Sequence, residues 1–377
     1  MSKKINVLIV GGGMYSIGRG TNSYGTIIPA IFEAHHQGLV ANIGIVTTNS
    51  KSAMEASIKC NELANKMHLN IKCLAYPKKG KNNKAYLDAA NELKPDVAII
   101  STPDHSHSSI CIPLIKSGIH CLVVKPMAPT VEEAKKMYAA AKEANVVAQV
   151  EFHKRLDESN LIMHDTIKNG EIGSLLYAVI EYSQQKKIPQ DIFKDWAEKT
   201  SIFQYLGVHY VDLLQLITKF KPIKVTAWGQ KEYLKKIGID TWDAMQVVIE
   251  WQRGDGGQFI STHITNWIDP NETTAVSDQK INLVGTNGRF QADHKNRGVQ
   301  LVKGKIGVRD INPYFSVRKY DPNTNRITFS GYGIKNVIQF LIDVKEYNDG
   351  RIKLEDLDTI RPTFKDCIVS TAVVECA

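Results

Sequence analysis

The sequence predicts an α/β protein in two parts. A parallel-sheet domain occupies residues 1–152, and an α+β domain with a largely antiparallel sheet occupies 153–377. Two observations carry this. Between Asp96 and Arg155, short apolar runs at Val97–Ser101, around Val123-Val124 and at Val146–Phe152 alternate with helical patterns, the rhythm of βαβ units. Beyond Arg155, runs of alternating character are separated by turn signals such as Gly254-Asp255-Gly256-Gly257 and Thr286-Asn287-Gly288, as in antiparallel hairpins.

The first strand, Ile5–Val10, is an apolar run ending in Gly11-Gly12-Gly13. Glycines there let backbone N–H groups approach a pyrophosphate, and a helix start beyond them favours negative charge. Gly11, Gly13 and the adjoining Met14 are therefore candidate dinucleotide contacts. Ser16 takes the third glycine position of G-x-G-x-x-G, and the helical pattern resumes only near Gly25, over Thr26–His36. The turn thus carries an insertion of about 10 residues. It is either a surface excursion or a cover for the cofactor, with Arg19 as its candidate contact. The second strand, Asn42–Thr47, would end in a ribose-binding acid for NAD. It runs instead into Thr47-Thr48-Asn49-Ser50-Lys51, with no carboxylate before Glu55. Thr48, Asn49 and Ser50 beside a lysine suit a 2′-phosphate, so NADP is favoured, with NAD as the alternative.

A helix over Lys51–Met67, a strand near Ile71–Ala75 and a helix over Tyr86–Leu93 follow. The strand at Val97 then turns through Thr102-Pro103-Asp104-His105-Ser106-His107. His105 and His107 have no third ligand nearby, so no metal is predicted. Lys125, before Pro126, closes the next strand, and the carboxyl ends of such strands face the ligand crevice. After the charged helix Thr130–Ala144, the strand Val146–Phe152 stops at His153-Lys154-Arg155. These three are either a charged linker or donors for the hydroxyls or an anionic substituent of a substrate.

In the second domain a helix over Leu161–Asn169 precedes strands at Leu175–Gln184, Ile223–Gly229, Trp242–Trp251, Gln258–Trp267, Lys280–Gly285 and Phe290–Asp293. Helices are expected on one face of this sheet; Trp228, Trp251 and Phe259 belong either to the other face or to the core. Between the first two strands, Leu206, Tyr210, Leu213, Leu214 and Ile217 recur at helical spacing, and His209 and Asp212, at i and i+3, share a side. Amphipathic helices are expected at Asn336–Val344 and from Asp366 onward.

The net charge of +8, from 47 basic and 39 acidic side chains, is modest for 377 residues. It comes without a helix-turn-helix or an aromatic–basic pattern, so no nucleic-acid partner is expected. The basic run Lys78-Lys79-Gly80-Lys81 reads as a solvated loop. Six cysteines lack Cys-x-x-Cys spacing, no secretory pattern precedes Ile5, and no apolar run approaches a membrane span. The expectation is a reduced, soluble, cytoplasmic protein with no membrane partner.

Thr102-Pro103-Asp104-His105-Ser106-His107, Val124-Lys125-Pro126 and Gly207-Val208-His209-Tyr210-Val211-Asp212, in that order, resemble the motifs of the glucose–fructose oxidoreductase / inositol dehydrogenase (Gfo/Idh/MocA) family, over nearly the whole chain from Ile5. Two departures stand out. Val124 replaces the usual glutamate before the lysine, and Tyr205 stands where many members carry an aspartate. The resemblance implies a Rossmann-type domain binding NAD(P). It also implies a hydride transfer to or from a hydroxyl or keto carbon of a sugar, polyol or sugar derivative, and a homodimer or homotetramer joined through the second-domain sheet. It places Thr102, Pro103, His107, Lys125 and Pro126 at the cofactor, with His107 towards the nicotinamide. It implies a cis bond before Pro126, and a last helix longer than this one.

An alcohol losing hydride needs a group to take its proton. Lys125 fits once desolvation lowers its pKa, and His209 is the second proton carrier. Tyr205 either donates to substrate in place of the absent aspartate or only packs. Asp212 either holds the His209 tautomer or binds solvent or backbone. Trp196, with Tyr182, Gln184 and Lys186, is a further substrate candidate, and the segment Lys186–Thr200 is expected to carry specificity. Two other functions share these residues: an NAD-dependent glycosidase without net redox, and a catalytically silent cofactor-binding regulator.

Overall fold

The computed structural model describes residues 3–21, 23–304 and 307–377. The chain divides into two compact units. One holds the chain up to Leu156 together with Tyr314–Ile368; the other holds Asp157–Pro313 and Val369–Ala377.

The first unit is built on strands β1 (Ile5–Val10), β2 (Val40–Val46), β3 (Cys73–Tyr76), β4 (Val97–Ile100), β5 (His120–Val124) and β6 (Ala148–Glu151). They form one parallel sheet in the order β3-β2-β1-β4-β5-β6. Such strands read as unbroken apolar runs because helices cover both faces. The order reverses between β1 and β4, and dinucleotides bind beyond the carboxyl ends of the strands at such a point. The helices have ordinary stops and starts: Asn49 accepts from the Ser52 N–H at 2.9 Å to cap Ser50–Lys66, and Thr130 accepts from the Glu133 N–H at 3.2 Å to cap Val131–Ala144.

Two sequence expectations need correction here. A short helix, Met14–Ile17, follows the glycine run directly, so the inserted segment lies between it and the helix Ile27–His36. The segment Tyr314–Ile368 also belongs with this first unit, so the second domain does not run unbroken from 153 to 377. The cause is apolar packing. Ile334, Val337, Phe340, Leu341 and Val344 of the helix Tyr332–Asn348 recur at helical spacing and are buried in one cluster with Ile5, Val7 and Ile9 of β1 and Ile28 and Phe32 of Ile27–His36. Arg326, 3.2 Å from Glu33, and the Phe329 N–H, donating to Glu33 at 2.7 Å, fix the hairpin before that helix.

The second unit carries β7 (Leu175–Gln185), β8 (Lys221–Gln230), β9 (Ala244–Gln252), β10 (Gln258–Asp269), β11 (Ser277–Gly285) and β12 (Gly288–Asp293), in the order β12-β11-β7-β10-β9-β8. Every pairing is antiparallel except β7 with β10, which is parallel. Periodicity reports which side chains face inward but not which strand lies alongside. Trp251 and Phe259 are fully buried, whereas Trp228 is 55% exposed. Among the described residues no helix is long and apolar enough to cross a membrane.

Candidate active site

The glycine run shows why β1 must end as it does. Gly11 has φ +113°, and a Cβ there would lie 2.0 Å from the Ser101 carbonyl oxygen, so no side chain fits between the ends of β1 and β4. Gly13 opens the short helix and a Cβ on it would meet nothing within 4 Å, leaving its backbone open beside Met14. This is a cradle that suits a pyrophosphate.

Arg19 turns back to the next βα crossing. Its Nη2 donates to Ser52 Oγ at 3.1 Å and lies 3.1 Å from Glu55 Oε2, with both charged side chains about half exposed. Such a pair is weak and exchangeable. Thr48 is exposed and Asn49 and Ser50 are partly so, at the start of a helix with no acid in its first turn. The Asn49 side chain is used in capping that helix, which removes its amide oxygen from the candidate ligands.

At the end of β4, Ser106 Oγ donates to Thr102 Oγ1 at 2.8 Å, which closes the turn through Pro103. His107 has no exposed surface, and its two ring nitrogens lie 2.9 Å from the carbonyl oxygens of Thr102 and Pro126. Its side chain therefore braces the ends of β4 and β5, the two strand ends expected at the cofactor. The Lys125–Pro126 bond is cis, as the resemblance implied.

Lys125 itself is buried, with 6% of its surface exposed. Burial pulls its ammonium down to a pKa of about 8, the charges of Asp104 and Glu151 pull the other way, and Lys154 adds to the lowering. Neither carboxylate was singled out from sequence. A signal was present for Glu151: an acid closing the wholly buried strand Ala148–Glu151. The Tyr15 hydroxyl donates to Glu151 at 2.8 Å, and His153 Nδ1 lies 2.9 Å from both Glu151 oxygens.

His153, Lys154 and Arg155 do not leave the sheet as an open linker. They form a tight turn and are buried. Arg155 pairs with Asp366 at 2.6 Å, so its guanidinium is committed to holding the final helix. The charge of Lys154 acts on Lys125.

In the second unit, a one-turn π-helix, Phe203–Gly207, runs into the α-helix Val208–Thr218. His209 and Asp212 are both 2% exposed on that helix. Tyr205 packs edge-on against Phe193 at 4.8 Å and tilts over Trp267 at 6.2 Å, while Trp196 lies 4.2 Å from Phe193. Tyr205 and Trp196 are thus brought into one aromatic cluster, each partly exposed. Gln184 supports it by accepting from the Trp267 indole N–H at 2.8 Å, and Lys186 lies over the Tyr233 ring at 5.0 Å. Tyr182 is buried, and burial pushes its hydroxyl pKa well up, so it stays neutral.

Comparison with known proteins agrees with this geometry. Residues 5–152 match the family described as an oxidoreductase family with an NAD-binding Rossmann fold, and residues 161–291 match the GFO/IDH/MocA C-terminal domain. Levoglucosan dehydrogenase of Pseudarthrobacter phenanthrenivorans is 29% identical over 156 residues, 39% of this chain and 40% of that one. The 1,5-anhydro-D-fructose reductase of Ensifer adhaerens is 25% identical over 197 residues, 51% of this chain and 57% of that one. The chain therefore spans only 40% and 57% of the lengths of these curated relatives. The crystal structure of GenD2 from gentamicin A biosynthesis in complex with NAD shares the fold, with a TM-score of 0.70 at 18% identity over 100% of this chain and 94% of that one.

Proposed function

The chain belongs to the GFO/IDH/MocA oxidoreductase family, and from that premise we propose that it is an NAD(P)-dependent dehydrogenase or reductase acting on a hydroxyl or keto carbon of a sugar, polyol or sugar derivative. The observation that carries the reading is Lys125: a lysine buried at the carboxyl end of β5, with its pKa near 8. An amine that loses and regains its proton near neutrality suits the proton transfer that accompanies oxidation or reduction at such a carbon. The relatives named for levoglucosan and anhydrofructose support the carbohydrate class.

The bound nicotinamide would supply or accept the hydride. Gly11 and Gly13 would receive the pyrophosphate, with Met14, Thr102, Pro103 and Pro126 along the same strand ends. As an ammonium, Lys125 polarises a carbonyl and donates its proton; as an amine it takes one from a hydroxyl. His209 is the second proton carrier, Asp212 orients it, and the partly exposed rings of Trp196 and Tyr205 suit the apolar face of a sugar ring. We read the cofactor as NADP, supported by Arg19, Thr48 and Ser50 at a helix start without acids. The large apolar side chains exposed on the outer face of the second sheet, Tyr177, Trp228 and Ile264, support a homodimer or homotetramer.

Titration of the protein's tryptophan fluorescence with NADPH and with NADH tests this. The expected result is binding of both with a preference of about tenfold or more for NADPH, about 1.4 kcal/mol. The Lys125→Ala protein should bind NADPH nearly as well and lose most of its turnover in a screen of sugars and polyols. Preference for NADH overturns the NADP reading alone. Absence of binding to either, in protein stripped of carried-over cofactor, overturns the dehydrogenase.

A further inference from the structure

A buried ammonium needs compensating charge beside it. The residue before Lys125 is Val124, where the family pattern has a glutamate, so that strand supplies none. Across the sheet, however, the register partner of Val124 is Glu151, the last residue of the neighbouring parallel strand. Glu151 has no exposed surface, and ionised carboxylates are almost never sealed in this way without a partner. It is held from two directions. Tyr15 donates from the short helix after the glycine run, and His153 approaches both oxygens from the turn after β6. The His153 ring is itself packed among Tyr15 at 6.1 Å, Phe315 at 5.0 Å and Tyr332 at 5.6 Å. A carboxylate fixed so firmly beside a buried lysine serves as that lysine's counter-charge.

We propose that Glu151 is a positioning residue for Lys125: a carboxylate moved one strand over from position 124, clamped by Tyr15 and His153, that keeps the ammonium form of the lysine available. Asp104, from the turn after β4, is the larger negative influence on the lysine and Glu151 the next, and Lys154, from the turn after β6, opposes both. Tyr15 and His153, which hold Glu151, are further titratable groups at the pair. The inference rests on the dehydrogenase reading for the proton-transfer role of Lys125, but the charge pairing stands without it.

The sign follows directly. Removing a negative charge destabilises the ammonium, so the lysine pKa falls below about 8. Acetic anhydride does not itself titrate and acylates unprotonated amines only, so mass spectrometry of the Lys125 peptide reads its acetylation against pH, relative to a reference amine, with no substrate required. In the wild type the reaction of Lys125 should reach half its limiting rate near pH 8. In Glu151→Gln the midpoint should fall by about one unit, making Lys125 roughly tenfold more reactive at pH 6.5. Val124→Glu added to Glu151→Gln should return the midpoint towards the wild-type value, a rescue that a purely structural role for Glu151 would not give. An unchanged midpoint in a folded Glu151→Gln protein overturns the proposal. Should that variant not fold, Glu151→Asp decides: the shorter side chain draws the carboxylate back from Lys125 and must lower the midpoint, and an unchanged one overturns the proposal. If the wild type binds neither NADPH nor NADH, the dehydrogenase fails while the lysine midpoint remains readable.

Discussion

Gly207, in the Gly-x-His-x-x-Asp segment, is a glycine because its neighbours leave no room. A Cβ there would lie 2.2 Å from the Tyr182 hydroxyl oxygen and 2.4 Å from Phe203 Cδ2. Tyr182 cannot swing aside: it is sealed in the core and stacked on Tyr210 at 5.4 Å with 14° between the rings. Gly207→Ala should therefore cost about 1–3 kcal/mol of stability, read as a lower thermal midpoint. Because the Tyr182 hydroxyl has no hydrogen-bond partner among the described residues, Tyr182→Phe should cost little by itself and recover part of the loss in the alanine background. An alanine protein as stable as the wild type would contradict this packing account. The sequence placed the glycine two residues before the histidine. It could not show the tyrosine, which comes from β7 and meets Gly207 only in the folded chain.

The inserted segment after the short helix is organised by one lysine. Lys59, on Ser50–Lys66, directs its ammonium to the carbonyl oxygens of Ile17, Gly18, Thr21 and Ser23, at 3.2, 2.7, 3.4 and 3.1 Å. The segment is thereby tied to the helix whose first turn Arg19 reaches, so the loop and the proposed 2′-phosphate contacts form one device. Lys59→Met keeps the aliphatic stem and removes the charge. It should weaken NADPH binding about tenfold while barely changing the thermal midpoint, and speed tryptic cleavage after Arg19. Unchanged affinity would show the segment to be a surface excursion. These elements also mark the limit of what sequence discloses. Strands β1 to β6 were legible because they are buried on both faces and read as apolar runs, and β7 to β12 because their side chains alternate. Lys125, His209 and the glycines were legible from motifs. Glu151, Lys59 and the Arg155–Asp366 pair were not, since each works through residues far away in the chain. The short helix Met14–Ile17 escaped because one turn is too brief to show a period.

The molecule taken whole follows from what each sheet leaves uncovered. The first sheet gains its cover partly from the returning helix Tyr332–Asn348, which sequence order alone assigns to the second half of the chain. The second sheet is different. Along β9 and β10, Val247, Ile249, Trp251, Phe259, Ser261 and His263 are buried while the alternating positions between them remain open. His263, at the centre of the covered side, is pushed down to a pKa of about 3 by burial and so stays neutral there. On the open side lie Tyr177 of β7, 44% exposed, Ile264 of β10, 42% exposed, and Trp228 of β8. Large apolar side chains exposed among polar ones on one sheet face are suited to a second copy of the same surface. Ile264 pairs in register with Glu181 on one side and Gln246 on the other, near the middle of the sheet. Ile264→Arg would place like charges opposite each other across a two-fold contact there, and would leave the covered face untouched. Sedimentation velocity should show the wild type as a dimer or tetramer and the Ile264→Arg protein shifted towards monomer, with the far-ultraviolet circular dichroism of both unchanged. A wild type that sediments as a monomer at micromolar concentration, or a variant that keeps the wild-type assembly, would remove this face from the account and leave its exposed aromatic side chains to be explained otherwise.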